Sequence, residues 1–175
     1  MNIQEKTWEV VFHICFKTVQ DNNLIWLQYR ILHRILGTQH LLNKMGKAAC
    51  SLCLQCNIFP ETIMHLFYHC KKSQTIWNEL KTWIRNSTKR TLNIGPEGIL
   101  LGYFIRDENF LPINTIIMVT KAFLFKSSRK GISFNLKKLQ EDLKNVYKEQ
   151  KLVAKYNFNE DVFDDNWKFF VDLFK

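Results

Sequence analysis

Four of the five cysteines of this 175-residue chain fall within 21 residues, and two of its five histidines lie among them. Taken as ligands, the run CLQCNIFPETIMHLFYHC reads Cys53-x2-Cys56-x8-His65-x4-Cys70. A CxxC turn sets two thiolates on one side of an ion, the loop of eight brings His65 back, and Cys70 follows from the end of the same helical turn. Zinc takes four tetrahedral nitrogen and sulfur ligands, and three thiolates with one neutral imidazole leave no open position. The chemistry is therefore that of a structural site, not a catalytic one. In small zinc peptides such a site binds with about 10–16 kcal/mol of apparent free energy, and that energy goes into folding. On spacing alone two substitutes stay open. Cys50 continues a CxxCxxC run and can replace Cys53 or Cys56, and His69 competes with His65, although its neighbour Cys70 makes joint ligation of one ion awkward.

The other reactive side chains form no such constellation. Cys15 sits in an apolar stretch and reads as a small core residue, and His13, His33 and His40 read as structural or surface groups. Asp164 and Asp165 are adjacent, as are Asp107 and Glu108, and adjacent side chains on a helix point apart. No Gly-rich phosphate loop, GxSxG or HExxH occurs, and six glycines are too few for nucleotide-cradling loops. No enzyme is expected. An odd cysteine count, with a start (MNIQEKTWEVVFHICFK) that lacks a basic n-region, argues against a disulfide framework and for a reducing, intracellular compartment.

The elements that must position the four ligands read as helices. Residues 7–19 have mixed periodicity and are read as helix. Asp21 can cap a helix over 23–36 that Gly37 stops, with Leu24, Leu27, Ile31 and Ile35 in a wide apolar stripe and Arg30, His33 and Arg34 on a basic ridge. Thr38 can cap a short helix ended by Gly46. Pro60 sets a helical turn at ETIMHLFYHC, and from Ser73 the series Ile76, Trp77, Leu80, Trp83, Ile84 is amphipathic. Residues 91–112, at the heart of a turn-rich stretch from 86, are read as linker or loop. A strongly apolar helix is expected from about Ile113 to Ser127. Asn135 can cap another reaching about Tyr156, and one short helix is expected in 157–175. The expectation is an all-α fold with a small irregular zinc-knuckle-like insert: a helical segment 1–90 carrying the zinc loop at about 50–72, the linker, and a helical segment 113–175 packed on the first.

Charge is uneven. Lys and Arg number 25 against 16 Asp and Glu, a net of +9, which divides into +7 over residues 1–90, +5 over 91–156 and −3 over 157–175. The acidic tail dilutes a basic body that suits a polyanionic partner. No run of 18 apolar residues occurs and no clean amphipathic segment has a Lys/Arg-rich polar face, so no membrane partner is expected.

With these flanks in view, the chain resembles the zinc-binding C-terminal region of reverse transcriptases encoded by non-LTR (LINE-type) retrotransposons. The resemblance rests on WLQYRILHRILGT at 26–38, LLNKMG at 41–46, the CSLC and CLQC turns around Cys53, ETIMHLFYHC at 61–70 and IWNELKTWI at 76–84. INTIIMVTKAFLFKSSRKG at 113–131 and an aromatic around Trp167 extend it. It implies a Cys3His site for one structural zinc ion at Cys53, Cys56, His65 and Cys70. It implies a role in gripping RNA template or target DNA during target-primed reverse transcription, beside the polymerase domain of the same element, in cytoplasm and nucleus. The chain departs from the parent polyprotein in having no Tyr/Phe-Ala-Asp-Asp polymerase signature and no endonuclease core, so a C-terminal fragment or truncated element copy is expected. Candidate phosphate contacts are Arg30, Arg34, Lys44 and Lys47 before the site and Lys71, Lys72 and Arg85 after it. Phe59, Phe67 and Tyr68 are candidate stacking surfaces, with packing around the metal an equal reading for Phe67. The alternative is a zinc-stabilised helical scaffold whose face docks on protein.

Overall fold

The computed structural model describes residues 5–103 and 110–175. The fold is all-α. Among the described residues it has no strand, only a lone antiparallel bridge between Leu52 and Pro60. In chain order come α1 (Glu5–Thr18), α2 (Asn22–Leu32), α3 (Gln39–Lys44), a π turn (His65–His69), α4 (Lys71–Thr88), α5 (Pro96–Leu101), α6 (Phe110–Arg129), α7 (Leu136–Tyr156), α8 (Glu160–Trp167) and a 3-10 turn (Val171–Phe174).

Side-chain caps fix several starts where the sequence places them. Asp21 accepts the Asn23 N–H at 2.8 Å, Thr38 that of Leu41 at 3.4 Å and Asn135 that of Lys138 at 3.3 Å. Ends are less regular. The spacing predicts this helix over 23–36, but α2 stops at Leu32, because Arg34 takes a left-handed φ of 58° and the Ile35 N–H turns back to the Arg30 carbonyl at 2.9 Å. That closure is the one a glycine usually supplies, here made by an arginine. α3 ends conventionally, with Gly46 at φ 67° and the Lys47 N–H on Leu42 O at 2.8 Å. α5 lies inside the stretch expected as linker or loop. Pro96 supplies its first turn and Ile99 and Leu101 are buried.

The core is organised around α6, which packs on α1, α2, α7, α8 and the π turn. From Pro112 to Leu124 every side chain is buried, the polar Asn114, Thr115, Thr120 and Lys121 among them, so no amphipathic period survives. By length and composition α6 would suffice to cross a membrane, and most of it is enclosed by the other helices. The tail closes on α7 through aromatic contacts. Tyr147 stacks on Phe174 at 4.3 Å, and Trp167 meets both rings edge-on at 5.2 and 5.5 Å. Such pairs contribute about 0.5–1.5 kcal/mol each beyond their buried area.

One cation is buried inside this core. The Lys121 Nζ donates to Gln28 Oε1 and to the Leu100 carbonyl at 3.4 Å, while Gln28 Nε2 donates to that carbonyl at 2.9 Å. Burial, which penalises the charged form, pushes Lys121 down from 10.5 to about 7. In the unfolded chain the amine holds its proton up to about 10.5. Between these values the unfolded state therefore binds more protons, and stability rises with pH. The expected outcome is a rise in stability between pH 7 and 10 that Lys121→Met flattens, read from denaturant midpoints of the two proteins across that range.

Candidate metal centre

The chain from Leu52 to Pro60 forms a small knuckle. The Cys53 N–H bonds the Phe59 carbonyl at 2.8 Å, and the Asn57 N–H returns to the Cys53 carbonyl at 2.8 Å. Asn57 carries φ 55°, a left-handed position that asparagine tolerates better than most residues. The Gln55 N–H points at the Cys53 sulfur, 3.5 Å away. This turn presents Cys53 and Cys56 from one side.

The other pair comes from the π turn. On an α-helix, residues five apart lie about 140° apart around the axis. The wider π turn, closed by the Cys70 N–H on the His65 carbonyl at 2.8 Å, swings His65 and Cys70 toward one side. α4 supplies partners for its carbonyls: the Ser73 hydroxyl donates to Leu66 O at 2.6 Å and the Trp77 indole N–H to Phe67 O at 2.8 Å.

The four donor atoms of Cys53, Cys56, His65 and Cys70 all lie within 4.8 Å of one another. Cys53 Sγ stands 3.9 Å from Cys70 Sγ, and Cys56 Sγ 3.3 Å from His65 Nε2. Zinc–sulfur and zinc–nitrogen bonds of about 2.3 and 2.0–2.1 Å give tetrahedral edges of about 3.8 Å between sulfurs and about 3.5 Å between sulfur and nitrogen. The set fits one structural zinc ion. The Cys53 thiol donates to Cys70, and that bond lowers the pKa of the Cys70 thiol while it raises that of Cys53. Cys53, His65 and Cys70 are buried and Cys56 is half-buried, so solvent has little access. Cys50 is exposed, its sulfur accepting the Leu52 N–H, and His69 is exposed against the Tyr68 ring; neither joins the cluster. Cys15 is buried in the core.

A carboxylate that sequence reasoning passed over locks this loop to the helices. Glu61 is fully buried. Its Oε1 accepts the Gln39 N–H at 3.0 Å, at the start of α3, and its Oε2 accepts the Ser128 hydroxyl at 2.9 Å and the Leu54 N–H at 3.3 Å. Arg129 pairs with it at 3.6 Å and also donates to the Gly37 carbonyl at 2.8 Å. One carboxylate thus joins the knuckle to α3 and to the end of α6. Gln55 adds a second tie, donating to the Ile132 carbonyl at 3.0 Å. The signal available in the sequence was an acid set directly after Pro60 and between two pairs of ligands.

The basic candidates are spread over α2, α3 with its flanks, and α4. Arg30 is half-buried on α2, its Nε on the Trp26 carbonyl at 3.3 Å. Arg34, Lys44 and Lys47 are exposed around α3, and Arg34 and Lys44 line one groove. Lys71 and Lys72 open α4 and are exposed; Arg85, also exposed, sits about 21 Å farther along that helix by its rise per residue. Of the stacking candidates, Phe67 is fully buried and packs in the core, which removes it as a platform. Phe59 is exposed and stands 5.8 Å from the His65 ring, and Tyr68 is half-buried. Asp164 and Asp165 are exposed and ion-paired with Lys151 and Lys168. Asp107 and Glu108 lie outside the described residues.

The fold and site together define a helical module pinned by a Cys3His cluster. Residues 2–77 match the family model described as zinc-binding in reverse transcriptase, a span that contains all four cluster residues and supports a reverse-transcriptase zinc-binding region. No curated protein and no solved structure matches the chain.

Purified protein should carry one zinc per chain by elemental analysis. Cys53→Ser and Cys70→Ser should lose it, and Cys15→Ser and Cys50→Ser should keep it. Full occupancy in the Cys70→Ser protein would contradict the ligand set.

Proposed function

We propose that this chain is the zinc-binding C-terminal module of a non-LTR (LINE-type) retrotransposon reverse transcriptase. In this reading it grips RNA template or target DNA during target-primed reverse transcription, in cytoplasm and nucleus, and has no polymerase activity of its own. The observation that carries the reading is the convergence of Cys53, Cys56, His65 and Cys70 inside the segment matched by the reverse-transcriptase zinc-binding family.

Zinc holds the knuckle against the π turn, and Glu61 carries that order to α3 and α6. Arg34, Lys44 and Lys47 cluster around α3 and Lys71 and Lys72 open α4, while the acidic excess is confined to residues 157–175. Phosphates neutralised by such cations release counterions, so affinity falls linearly on a log–log scale with salt. A second reading, a scaffold docked on the polymerase domain of the same element, draws on the exposed apolar side chains Phe16, Ile35 and Met45 on or near α1–α3.

Single-stranded RNA should bind the zinc-loaded protein with a slope of about −0.7 per phosphate contacted, measured by fluorescence anisotropy between 50 and 200 mM salt (about the range over which such contacts are lost). A flat salt dependence, or retention of a polymerase domain without RNA binding, would favour the scaffold.

A further inference from the structure

The exposed faces of α1 and α2 carry a continuous line of rings that the zinc cluster does not use. Trp8 meets Phe12 at 5.8 Å, Phe12 meets His33 at 5.9 Å, His33 meets Tyr29 at 4.2 Å and Tyr29 meets Trp26 at 5.3 Å. The line crosses from one helix to the other. Trp26 is 59% exposed, Tyr29 42% and Phe12 40%. Rings of this size are ordinarily buried or turned to a partner.

What surrounds the line decides the partner. The charged side chains described on α1 and α2 are Glu9, Lys17 and Arg30, with Asp21 capping the start of α2 and Arg34 just beyond its end. The Arg30 Nε bonds the carbonyl of Trp26 itself. At its Trp8 end the line opens into a groove of about 720 Å³ that Arg34, His40 and Lys44 also line, and among the described residues no acid lines it. Thr62, Ile63 and Met64, the residues immediately before the cluster's His65, also line it. A protein-docking core is depleted of charge; here exposed rings have Arg30 beside them and lead into a mostly apolar groove that Arg34 and Lys44 also line. That is the arrangement that holds a single strand, with bases on ring faces and backbone along positive charge.

We propose that the Trp26–Tyr29–His33–Phe12–Trp8 line is a stacking platform for unpaired bases, and that the Arg34–His40–Lys44 groove takes the adjoining phosphates. This rests on the reading that the module binds nucleic acid, and it assigns the surface that does so. The zinc site then acts through the groove wall at 62–64 and is not itself the contact.

The test uses the full zinc-loaded chain with a fluorescein-labelled 20-nucleotide RNA, single-stranded or as a duplex of the same sequence. Trp26 and Tyr29 are exposed, so Trp26→Ala and Tyr29→Ala should keep fold and zinc content, checked by circular dichroism and elemental analysis. Each should weaken single-strand binding about 5- to 100-fold with the salt slope unchanged. Trp26→Phe and Tyr29→Phe should recover most of the affinity. Arg34→Ala should lower the salt slope by about 0.7, and the duplex should bind more weakly and ignore the ring substitutions. Wild-type affinity in the Trp26→Ala/Tyr29→Ala double variant would overturn the platform while leaving nucleic-acid binding intact. Loss of polymerase-domain retention in that variant, with RNA affinity unchanged, would overturn it in favour of a protein surface. No RNA binding by the wild-type chain at low salt would remove both this inference and the function it rests on.

Discussion

Three sulfurs and one imidazole nitrogen converge on a volume 4.8 Å across, drawn from a knuckle and a π turn. Neither piece has much to hold it alone. The knuckle has one isolated bridge, and the π turn is a single irregular turn whose carbonyls are taken by Ser73 and Trp77. A metal that needs all four donors supplies the constraint that propensity does not, since binding energy at such a site is folding energy.

The constraint spreads through Glu61. A buried carboxylate is tolerated only where its oxygens are paired and hydrogen-bonded, and this one is satisfied from three directions: α3, the knuckle and the end of α6. Loss of Arg129 leaves the buried charge uncompensated and loss of any other donor leaves a carboxylate oxygen short of a bond, so the loop's position and the helices' positions are mutually enforced. Lys121 shows the other solution to the same problem. Among the described residues no acid pairs with it, and burial moves it toward the neutral amine, with Gln28 and the Leu100 carbonyl as partners.

Much of this was legible in the sequence where a short-range rule applied. The caps at Asp21, Thr38 and Asn135 each need only a side chain and an N–H two or three residues on. The four ligands were legible because metal geometry limits which spacings work, and the structure separates them from Cys50 and His69. What escaped was decided by tertiary contact. Arg34 closes α2 in a conformation that no propensity assigns to arginine, and α5 forms in a turn-rich stretch because Ile99 and Leu101 find the core. Glu61 and Lys121 look like surface charges until their surroundings are known. The ring line needs residues from two helices, so no periodicity within either one displays it, and Phe67, plausible as a platform beside the ligands, proved to be core.

Everything else depends on the identity of the four donors, and zinc K-edge X-ray absorption on the purified 175-residue chain reads them directly. Three sulfurs at about 2.3 Å and one nitrogen at about 2.0–2.1 Å are expected. A shell of nitrogen and oxygen alone, or one with fewer than three sulfurs, would contradict it.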